Sequence, residues 1–260
     1  MKKFSDIKNA TDFAGLIDIN NKTALELGPL DKPKLDFTSP NVKSLDHLTQ
    51  TELIEKYRSD AKVDVEKITR VDYVWSGEKF SDIISEKFDY VLASHVIEHT
   101  PNLVGFFNNV SSILNDDGLL FLIIPDKRYC FDHFKPITNI YEVVHAYITN
   151  RTKPSFCNIV EHRRLACHND PKRHWIGDHG EITPRMEFND FSVPISQVIK
   201  TINYYEQNYI DGHVWKFTPD TFLLIANYLF DQNLIELKLN DILHTQKDTQ
   251  QFYVIMQLKC

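Results

Sequence analysis

A chain of 260 residues, 42% hydrophobic and 25% charged, has the composition of an ordinary globular protein and enough length for a sizeable core. The formal net charge of -7 argues against a general nucleic-acid binder, which is usually basic. The longest unbroken apolar run, residues 119–124, is far shorter than the ~20 residues of a membrane span, and no signal peptide is evident. We therefore expect a cytoplasmic protein whose four cysteines are reduced.

Short apolar runs alternate with amphipathic stretches through the first half of the chain, the pattern of strand–helix units on a parallel sheet. Strands are predicted at 23–27, 41–45, 71–75, 88–93 and 119–124. A capping box at residues 49–52 predicts a helix that runs to about Tyr57. Apolar residues spaced by three and four predict another helix from Leu103 to Leu114, which Gly118 would end.

The periodicity is lost from Asp126 to about Pro194, in a segment rich in His, Arg, Pro and Asn. Order returns at 218–220, a favourable helix start, and residues 234–239 and 252–258 predict two closing strands at one sheet edge. We expect an α/β fold with a Rossmann-like, doubly wound sheet of about seven strands and a C-terminal antiparallel strand pair. The predicted divisions are residues 1–125 and 195–260 for the core, with an inserted His/Arg-rich lid at 126–194.

Two predicted strands end in residues suited to a nucleoside ligand, because doubly wound sheets bind ligands at the carboxyl ends of their strands. Gly28 follows the first strand and lets the backbone approach a ligand closely. Asp46 ends the second strand, where its carboxylate can accept both ribose hydroxyls; a turn cap with Thr49 is the alternative interpretation. The chain lacks G-x-G-x-x-G, which disfavours a dinucleotide whose pyrophosphate needs that loop.

Five stretches between Thr23 and Pro136, and a further one at 211–219, carry a family resemblance. The five are Leu25-Glu-Leu-Gly-Pro29, Val42-Lys-Ser-Leu-Asp-His-Leu48, Val71-Asp-Tyr-Val-Trp75, Phe88-Asp-Tyr-Val-Leu-Ala-Ser-His-Val-Ile-Glu-His99 and Ile123-Ile-Pro-Asp-Lys-Arg-Tyr129. Together they resemble class I S-adenosylmethionine (SAM)-dependent methyltransferases, most closely a bacterial subgroup often found beside glycosyltransferases in polysaccharide-assembly clusters. One departure is that many such enzymes carry two or three glycines after the first strand, where this chain has Pro29 and Leu30.

The resemblance implies that residues 1–125 form the SAM-binding half of the core. The cofactor-binding residues that it implies are Glu26, Gly28, Pro29, Asp46, His47, Asp72, Tyr73, Ser94 and His95. Glu26 and Gly28 would lie at the methionine and ribose end of SAM. Asp46 would hold the ribose hydroxyls, and His47 would lie beside the adenine. Asp72 and Tyr73 would flank the adenine, and Ser94 and His95 would line the floor beneath the sulfonium.

Methyl transfer to a hydroxyl also requires a group that removes the hydroxyl proton, and a pKa near 7 makes histidine the best choice. The candidate bases are His99, His133, His179 and His213, among which the sequence leaves the choice open. Asp126 follows the fifth strand and is predicted to orient a base or to bind the acceptor. The predicted reaction is O-methylation of a sugar, a glycan or a sugar-nucleotide intermediate, with the acceptor class implied by the resemblance alone.

The predicted lid is more basic than the rest of the chain. Between Arg151 and Arg185 there are seven Lys or Arg residues against four Asp or Glu residues. Such a lid would favour an anionic acceptor, for example a phosphorylated or acidic sugar; a solvated surface is the alternative interpretation.

No metal site is predicted from the sequence. His95-Val-Ile-Glu-His99 matches the H-x-x-E-H zinc pattern, but the methyltransferase resemblance already accounts for this segment. Four other residues of the lid fit no standard zinc spacing, namely Cys157, His162, Cys167 and His168.

Two functions of other classes remain as alternatives. The glycine-poor loop is consistent with a methyltransferase-like binding subunit that has no catalysis of its own. A nucleotide-sugar or dinucleotide enzyme on a similar sheet is the other alternative, and the missing phosphate loop and the C-terminal strand pair argue against it.

Overall fold

The structure is a computed structural model that describes residues 4–182 and 192–259. Arg185, which contributes to the charge of the predicted lid, and Cys260 lie outside the described residues. The strands are β1 (Ala24–Leu27), β2 (Val42–Asp46), β3 (Tyr73–Val74), β4 (Phe88–Ser94), β5 (Leu114–Pro125), β6 (Leu237–Leu243) and β7 (Gln251–Leu258). The α-helices are α1 (Ala10–Ala14), α2 (Gln50–Tyr57), α3 (Phe80–Ile83), α4 (Leu103–Ser111), α5 (Ile140–Ile148), α6 (Phe156–Arg164), α7 (Pro171–Trp175), α8 (Ile195–Gln207) and α9 (Pro219–Asp231).

The seven strands form one sheet in the order β3-β2-β1-β4-β5-β7-β6. Strands β1 to β5 run parallel, whereas β7 lies antiparallel between β5 and β6. The predicted Rossmann-like α/β sheet with its C-terminal antiparallel pair is therefore confirmed. The strand order reverses between β1 and β4, so a ligand crevice is expected at the carboxyl ends of these two strands.

Both faces of the sheet are covered, which explains the continuous apolar run in β5. Leu120 and Leu122 belong to the larger core cluster, with residues of α4, α5 and α9. Phe121 and Ile123 belong to the smaller cluster with α1, where the ring of Phe13 lies 5.2 Å from that of Phe121. Alternate residues therefore anchor opposite layers, as in parallel sheets buried on both sides.

The prediction for the helix before β5 is wrong at its end. Helix α4 ends at Ser111 and β5 already begins at Leu114, which pairs with Phe88 of β4. The register then shifts, and Gly118 lies inside β5 rather than ending a helix. A Cβ at Gly118 would lie 2.8 Å from the carbonyl oxygen of Asn115, so the bulge needs glycine there.

Two other strand boundaries differ from the prediction. Strand β3 has only two residues, because its pairing with β2 is limited to Leu45 with Tyr73 and Asp46 with Val74. Strand β6 begins at Leu237 rather than at residue 234, since the chain first turns out of α9 with Asn233 at a φ of 56°.

The segment predicted as an irregular lid contains the helices α5, α6 and α7. Each begins with a polar cap whose side chain accepts a hydrogen bond from the helix backbone: Asn139, Ser155 and Asp170. Helix α8, beyond the predicted boundary at residue 194, packs on α6, with the rings of Tyr205 and Phe156 5.9 Å apart. The predicted divisions at 125 and 194 stay predictions.

Within the part of the chain that the structure describes, no helix is long and apolar enough to cross a membrane.

Candidate active site

The crevice at the strand reversal begins where β1 ends. Gly28 has a φ of 60°, in the left-handed region that favours glycine. Its backbone N–H donates to the carbonyl of Leu45, and an added Cβ would lie 3.6 Å from Cγ2 of Val96. The loop after β1 therefore lies against the segment after β4, and the absence of a side chain at Gly28 leaves room between them.

The loop after β1 keeps a glycine-like shape although it has one glycine. Pro29 is buried, and Leu30 adopts a φ of 47°, again in the left-handed region. From beneath, the buried carboxylate of Glu26 accepts backbone N–H groups of Lys34 and Leu35, both at 2.9 Å. Burial raises the pKa of Glu26 to about 7, and the N–H donors offset only part of that effect. Glu26 thus fixes the loop that borders the crevice.

Asp46 ends β2 on the same edge of the sheet. Its Oδ1 atom accepts the backbone N–H of His47 at 2.7 Å and contacts Nδ1 of the same histidine at 2.6 Å. His47 is exposed, and its Nε2 lies 2.7 Å from Nζ of Lys56. The contacts of Asp46 with described residues use Oδ1, so Oδ2 is available to a ligand.

Asp72 and Tyr73 lie beside Asp46, across the short pairing of β2 with β3, and both contact protein groups. Asp72 Oδ2 accepts the backbone N–H of Ser44 at 2.9 Å, and its carboxylate pairs with Lys43 at 3.5 Å. The hydroxyl of Tyr73 donates to Glu86; burial and this contact raise the pKa of Tyr73. The two residues therefore hold β3 in place at this end of the sheet.

Ser94 is the last residue of β4, on the other side of the strand reversal, and His95 follows it. His95 has a φ of 55°, which the left-handed region permits more readily for histidine than for branched residues. Its Nε2 lies 2.8 Å from Oε1 of Gln251, and its Nδ1 lies 3.3 Å from Oε1 of Glu98. The end of β4 is thus linked to the next turn of the chain.

Glu98, His99 and His213 form a group that we term the acid–imidazole cluster, and all three come after β4 in the chain. One ligand-type atom from each lies within 4.8 Å of the others. Glu98 is 1% exposed, and within residues 4–182 and 192–259 neither of its carboxylate oxygens has a hydrogen-bond partner. The backbone N–H of Val214 donates to the carbonyl of Glu98 at 2.7 Å, which holds the distant segment of His213 against the turn at 97–99.

Each histidine of the acid–imidazole cluster is paired with its own carboxylate. Nδ1 of His99 lies 2.8 Å from Oδ1 of Asp211, and Nδ1 of His213 lies 2.5 Å from Oδ2 of Asp132. Burial acts to lower the pKa of His99, but the Asp211 contact and the charge of Glu98 outweigh it and raise that pKa. His99 is the more exposed of the two imidazoles, 33% against 7% for the side chain of His213.

Asp132, the partner of His213, belongs to a larger group of buried polar side chains. Asp132 also accepts from Lys135, whose Nζ lies 3.1 Å from Nδ1 of His162. Burial acts to raise the pKa of Asp132, but His213 and Lys135 hold it well below its usual range. Burial and the charge of Lys135 lower the pKa of His162 to about 3, so this ring is neutral.

The other two candidate bases belong to a second group, the three-histidine cluster of His133, His174 and His179. The rings of His133 and His179 stack with centroids 3.6 Å apart, and the Nδ1 atoms of His174 and His179 are 3.0 Å apart. Burial and the neighbouring imidazoles lower the pKa of His179. The four candidate bases thus fall into two contacting pairs of rings, His99 with His213 and His133 with His179.

Asp126 has a different environment from the one predicted. It is fully buried, and its carboxylate is held by Arg128 at 2.6 Å and by the hydroxyl of Thr245 at 2.6 Å. Because it comes directly after β5, it also caps the turn at 127–129 by accepting the backbone N–H of Arg128. These contacts anchor the chain at the end of the strand, and none of them involves a candidate histidine.

Sequence reasoning missed the carboxylates that pair with the histidines. Asp211 precedes His213 in a stretch that carries the family resemblance, which is a usable signal. Asp132 and Lys135 carry no such signal, since His213, the histidine that contacts Asp132, lies 81 residues away from it in the chain. Glu98 entered the sequence analysis only as part of a zinc pattern that we set aside.

Several solved methyltransferase structures are similar to this chain. A S-adenosylmethionine-dependent methyltransferase from Clostridium acetobutylicum is similar with a TM-score of 0.47 and 13% identity, over 98% of this chain and 94% of that one. The CcbJ methyltransferase from Streptomyces caelestis is similar with a TM-score of 0.45 and 10% identity, over 96% and 93% of the two chains. A SAM-dependent methyltransferase from Methanosarcina mazei is similar with a TM-score of 0.41 and 13% identity, over 92% of each chain.

No curated protein matches the sequence. The family described as "Methyltransferase domain" matches residues 7–222, which is most of the chain. The chain therefore belongs to the Methyltransferase domain family.

Proposed function

We propose that this protein transfers the methyl group of SAM to a hydroxyl oxygen of a small, saccharide-like acceptor. Family membership supports methyl transfer. The observation that carries the proposal is the position of the acid–imidazole cluster. Glu98 and His99 lie on the turn at 97–99, just after β4 and next to the crevice where the strand order reverses, and the segment of His213 is held against that turn. A group that can loosen a hydroxyl proton is thereby placed beside the expected cofactor site.

The residues around the crevice fit SAM better than a dinucleotide. SAM has no phosphate, so it needs no glycine-rich phosphate loop, and Leu30 gives the single-glycine loop a glycine-like turn. Oδ2 of Asp46 would accept the ribose hydroxyls, with His47 and Tyr73 toward the adenine. Ser94 would lie beneath the sulfonium. When bound, SAM supplies a methyl group on a positively charged sulfur, and the protein supplies orientation.

We place the acceptor against His99. This imidazole is the exposed member of the acid–imidazole cluster, and Asp211 fixes its orientation through Nδ1. In the transfer, a bond would form between the acceptor oxygen and the methyl carbon while the carbon–sulfur bond breaks, its electron pair staying on sulfur, and the hydroxyl proton would pass to solvent water. The cluster would make that proton easier to remove.

An anionic sugar is the acceptor class that the insertion supports best. Exposed cations of α7, such as Lys172 and Arg173, add to the positive balance between residues 151 and 185. A positive lid would attract a phosphorylated or acidic sugar by long-range electrostatics, which salt screens. The resemblance to enzymes found beside glycosyltransferases points to the same class of substrate.

The cofactor is tested by calorimetric titration with S-adenosylhomocysteine. We expect micromolar binding by the wild type and a loss of about 1–3 kcal/mol in Asp46→Ala, which removes a charge-assisted hydrogen bond. Asp36→Ala is the matched control, because Asp36 is an exposed aspartate whose carboxylate accepts hydrogen bonds from Thr38. Absence of heat at saturating ligand would contradict SAM binding and favour a non-catalytic binding subunit, and binding of NAD instead would favour a dinucleotide enzyme.

The acceptor is tested by mass spectrometry of sugars incubated with the protein and SAM. We expect phosphorylated or acidic sugars to gain one methyl group faster than neutral sugars, and this preference to shrink at high salt. Equal methylation of neutral and anionic sugars at every salt concentration would contradict an anionic acceptor. Methylation of a nitrogen or carbon atom would contradict the hydroxyl acceptor.

A further inference from the structure

The buried carboxylate of Glu98 is the starting point. It is 1% exposed, yet neither oxygen has a hydrogen-bond partner among the described residues. Nδ1 of His95 lies 3.3 Å from Oε1 of Glu98, without the geometry of a hydrogen bond. Burying an unsatisfied carboxylate is costly, so such a group in a folded protein calls for a ligand.

The two histidines beside Glu98 are oriented as metal ligands are. A carboxylate can only accept, so the Nδ1 atoms of His99 and His213 carry the protons shared with Asp211 and Asp132. In the neutral rings this leaves Nε2 with a free lone pair. Metal-ligating histidines typically donate their other N–H to a carboxylate in this way, which fixes the tautomer and raises the basicity of the ligating nitrogen.

We propose that Glu98, His99 and His213 bind a divalent first-row transition-metal ion. Two imidazoles and one carboxylate, without a thiolate, suit Zn²⁺, Mn²⁺ or Co²⁺ better than Ca²⁺ or Cu⁺. Donor atoms within 4.8 Å of one another need only a small inward movement to reach bonds of about 2.0–2.2 Å.

The sequence pattern alone does not identify this site. The H-x-x-E-H pattern of residues 95–99 contains two of the three donors, but it pairs them with the wrong histidine. The third donor, His213, comes from the segment between α8 and α9. It reaches Glu98 because the backbone N–H groups of Val214 and Trp215 donate to the carbonyl of Glu98. The set is therefore a product of tertiary structure.

The role of the ion rests on the proposed function. A hydroxyl of the acceptor that occupies an open position on the ion would have a lower pKa, as metal-bound water does. Its proton would pass to solvent water, the oxygen would form its bond to the methyl carbon, and the electron pair of the broken carbon–sulfur bond would stay on sulfur. The exposed side of His99 is where a ligand can reach such an ion.

The test uses the full chain after removal of metals with a chelator, and it requires neither SAM nor acceptor. Co²⁺ is added as a visible probe, and Zn²⁺ binding is measured by calorimetry. We expect one ion per chain, with the visible absorption of a low-coordinate Co²⁺ site that has nitrogen and oxygen ligands. Glu98→Gln and His99→Ala should each weaken binding by more than tenfold, because each removes a ligand.

The matched control is His179→Ala, which removes one member of the three-histidine cluster, the other group of residues with suitable spacing for a metal. It should bind Co²⁺ like the wild type, and circular dichroism should show that all variants are folded. Absence of Co²⁺ uptake by the wild type would overturn the proposal. So would binding that His179→Ala removes and Glu98→Gln leaves intact, since the ion would then occupy the other cluster.

These outcomes are separable from those for the proposed function. S-adenosylhomocysteine binding without any metal site would overturn the metal proposal and leave methyl transfer standing. A metal site in a protein that binds no S-adenosylhomocysteine would support the metal proposal and overturn the proposed methyl transfer.

Discussion

His213 and Asp132 join through a hydrogen bond of 2.5 Å between Nδ1 and Oδ2, and both side chains are buried. Asp132 also accepts from Lys135, so one carboxylate balances two buried basic groups. This carboxylate is therefore the electrostatic centre of the segment that carries His213. Its removal would leave Lys135 as an uncompensated charge.

We expect Asp132→Asn to lower the free energy of unfolding by about 3–5 kcal/mol, the usual cost of removing one partner of a buried ion pair. Urea denaturation with a structural probe such as circular dichroism measures it. Asp178→Asn is the matched control, because Asp178 pairs with Arg173 in an exposed salt bridge and its loss should have no measurable effect. Equal stability of the two variants would contradict a buried, coupled role for Asp132.

Glu26 should make stability depend on pH. Its pKa in the folded protein is about 7, above the ordinary value of 4.5, because burial disfavours the charged form. The stabilisation linked to its proton is complete below pH 4.5 and is lost as the pH rises through 7. By linkage the loss amounts to about 3 kcal/mol.

The measurement is urea denaturation of the wild type and Glu26→Gln between pH 4.5 and 8. The glutamine stays neutral, so the variant should gain stability relative to the wild type as the pH rises over this range. Glu55→Gln, an exposed glutamate on α2, should show a constant difference from the wild type. A constant difference for Glu26→Gln as well would contradict the raised pKa.

Leu30 should tolerate glycine better than valine. Its φ of 47° lies in the left-handed region, where a β-branched residue is especially strained. We expect Leu30→Val to cost about 1–2 kcal/mol more than Leu30→Gly in urea denaturation. Leu16→Val is the control, since Leu16 is not among the described residues with positive φ, and it should show no such penalty relative to Leu16→Gly.

Gly28 should matter for cofactor binding more than for folding. Alanine at Gly28 places a methyl group 3.6 Å from Val96, inside the crevice, whereas alanine at Gly77 meets nothing within 4 Å. Both glycines have positive φ, so both substitutions should destabilise the fold by about 1 kcal/mol. Only Gly28→Ala should weaken S-adenosylhomocysteine binding in calorimetry. Equal affinities of the two variants would place the cofactor elsewhere.

The sheet was predictable because its signals are local. The buried strands β1, β4 and β5 appear as short apolar runs, and the polar residues at their ends follow directly in the chain. Gly118 misled the prediction for a local reason as well, since a glycine beside an apolar stretch indicates a helix end as readily as a strand bulge. The helices of the insertion were missed because α6 and α7 bury little and present no long apolar stripe.

The candidate site was predictable only in part. Gly28 and Asp46 stand out because Gly28 directly follows β1 and Asp46 ends β2. The pairs that orient the histidines are invisible in the sequence, since Asp211 lies 112 residues from His99 and Asp132 lies 81 residues from His213. Contacts across such separations follow from the return of the chain to the sheet, not from any spacing rule.

The chain leaves the sheet at Asp126 and comes back at Phe217, and these two residues form an isolated parallel bridge. The backbone N–H of Lys127 donates to the carbonyl of Phe217 at 2.9 Å. A chain segment whose two ends lie next to each other can change in length at little entropic cost to the rest of the fold. Within residues 128–216, α6 and α7 can therefore vary more freely than α5, because Val143 and Ala146 of α5 pack in the larger core cluster.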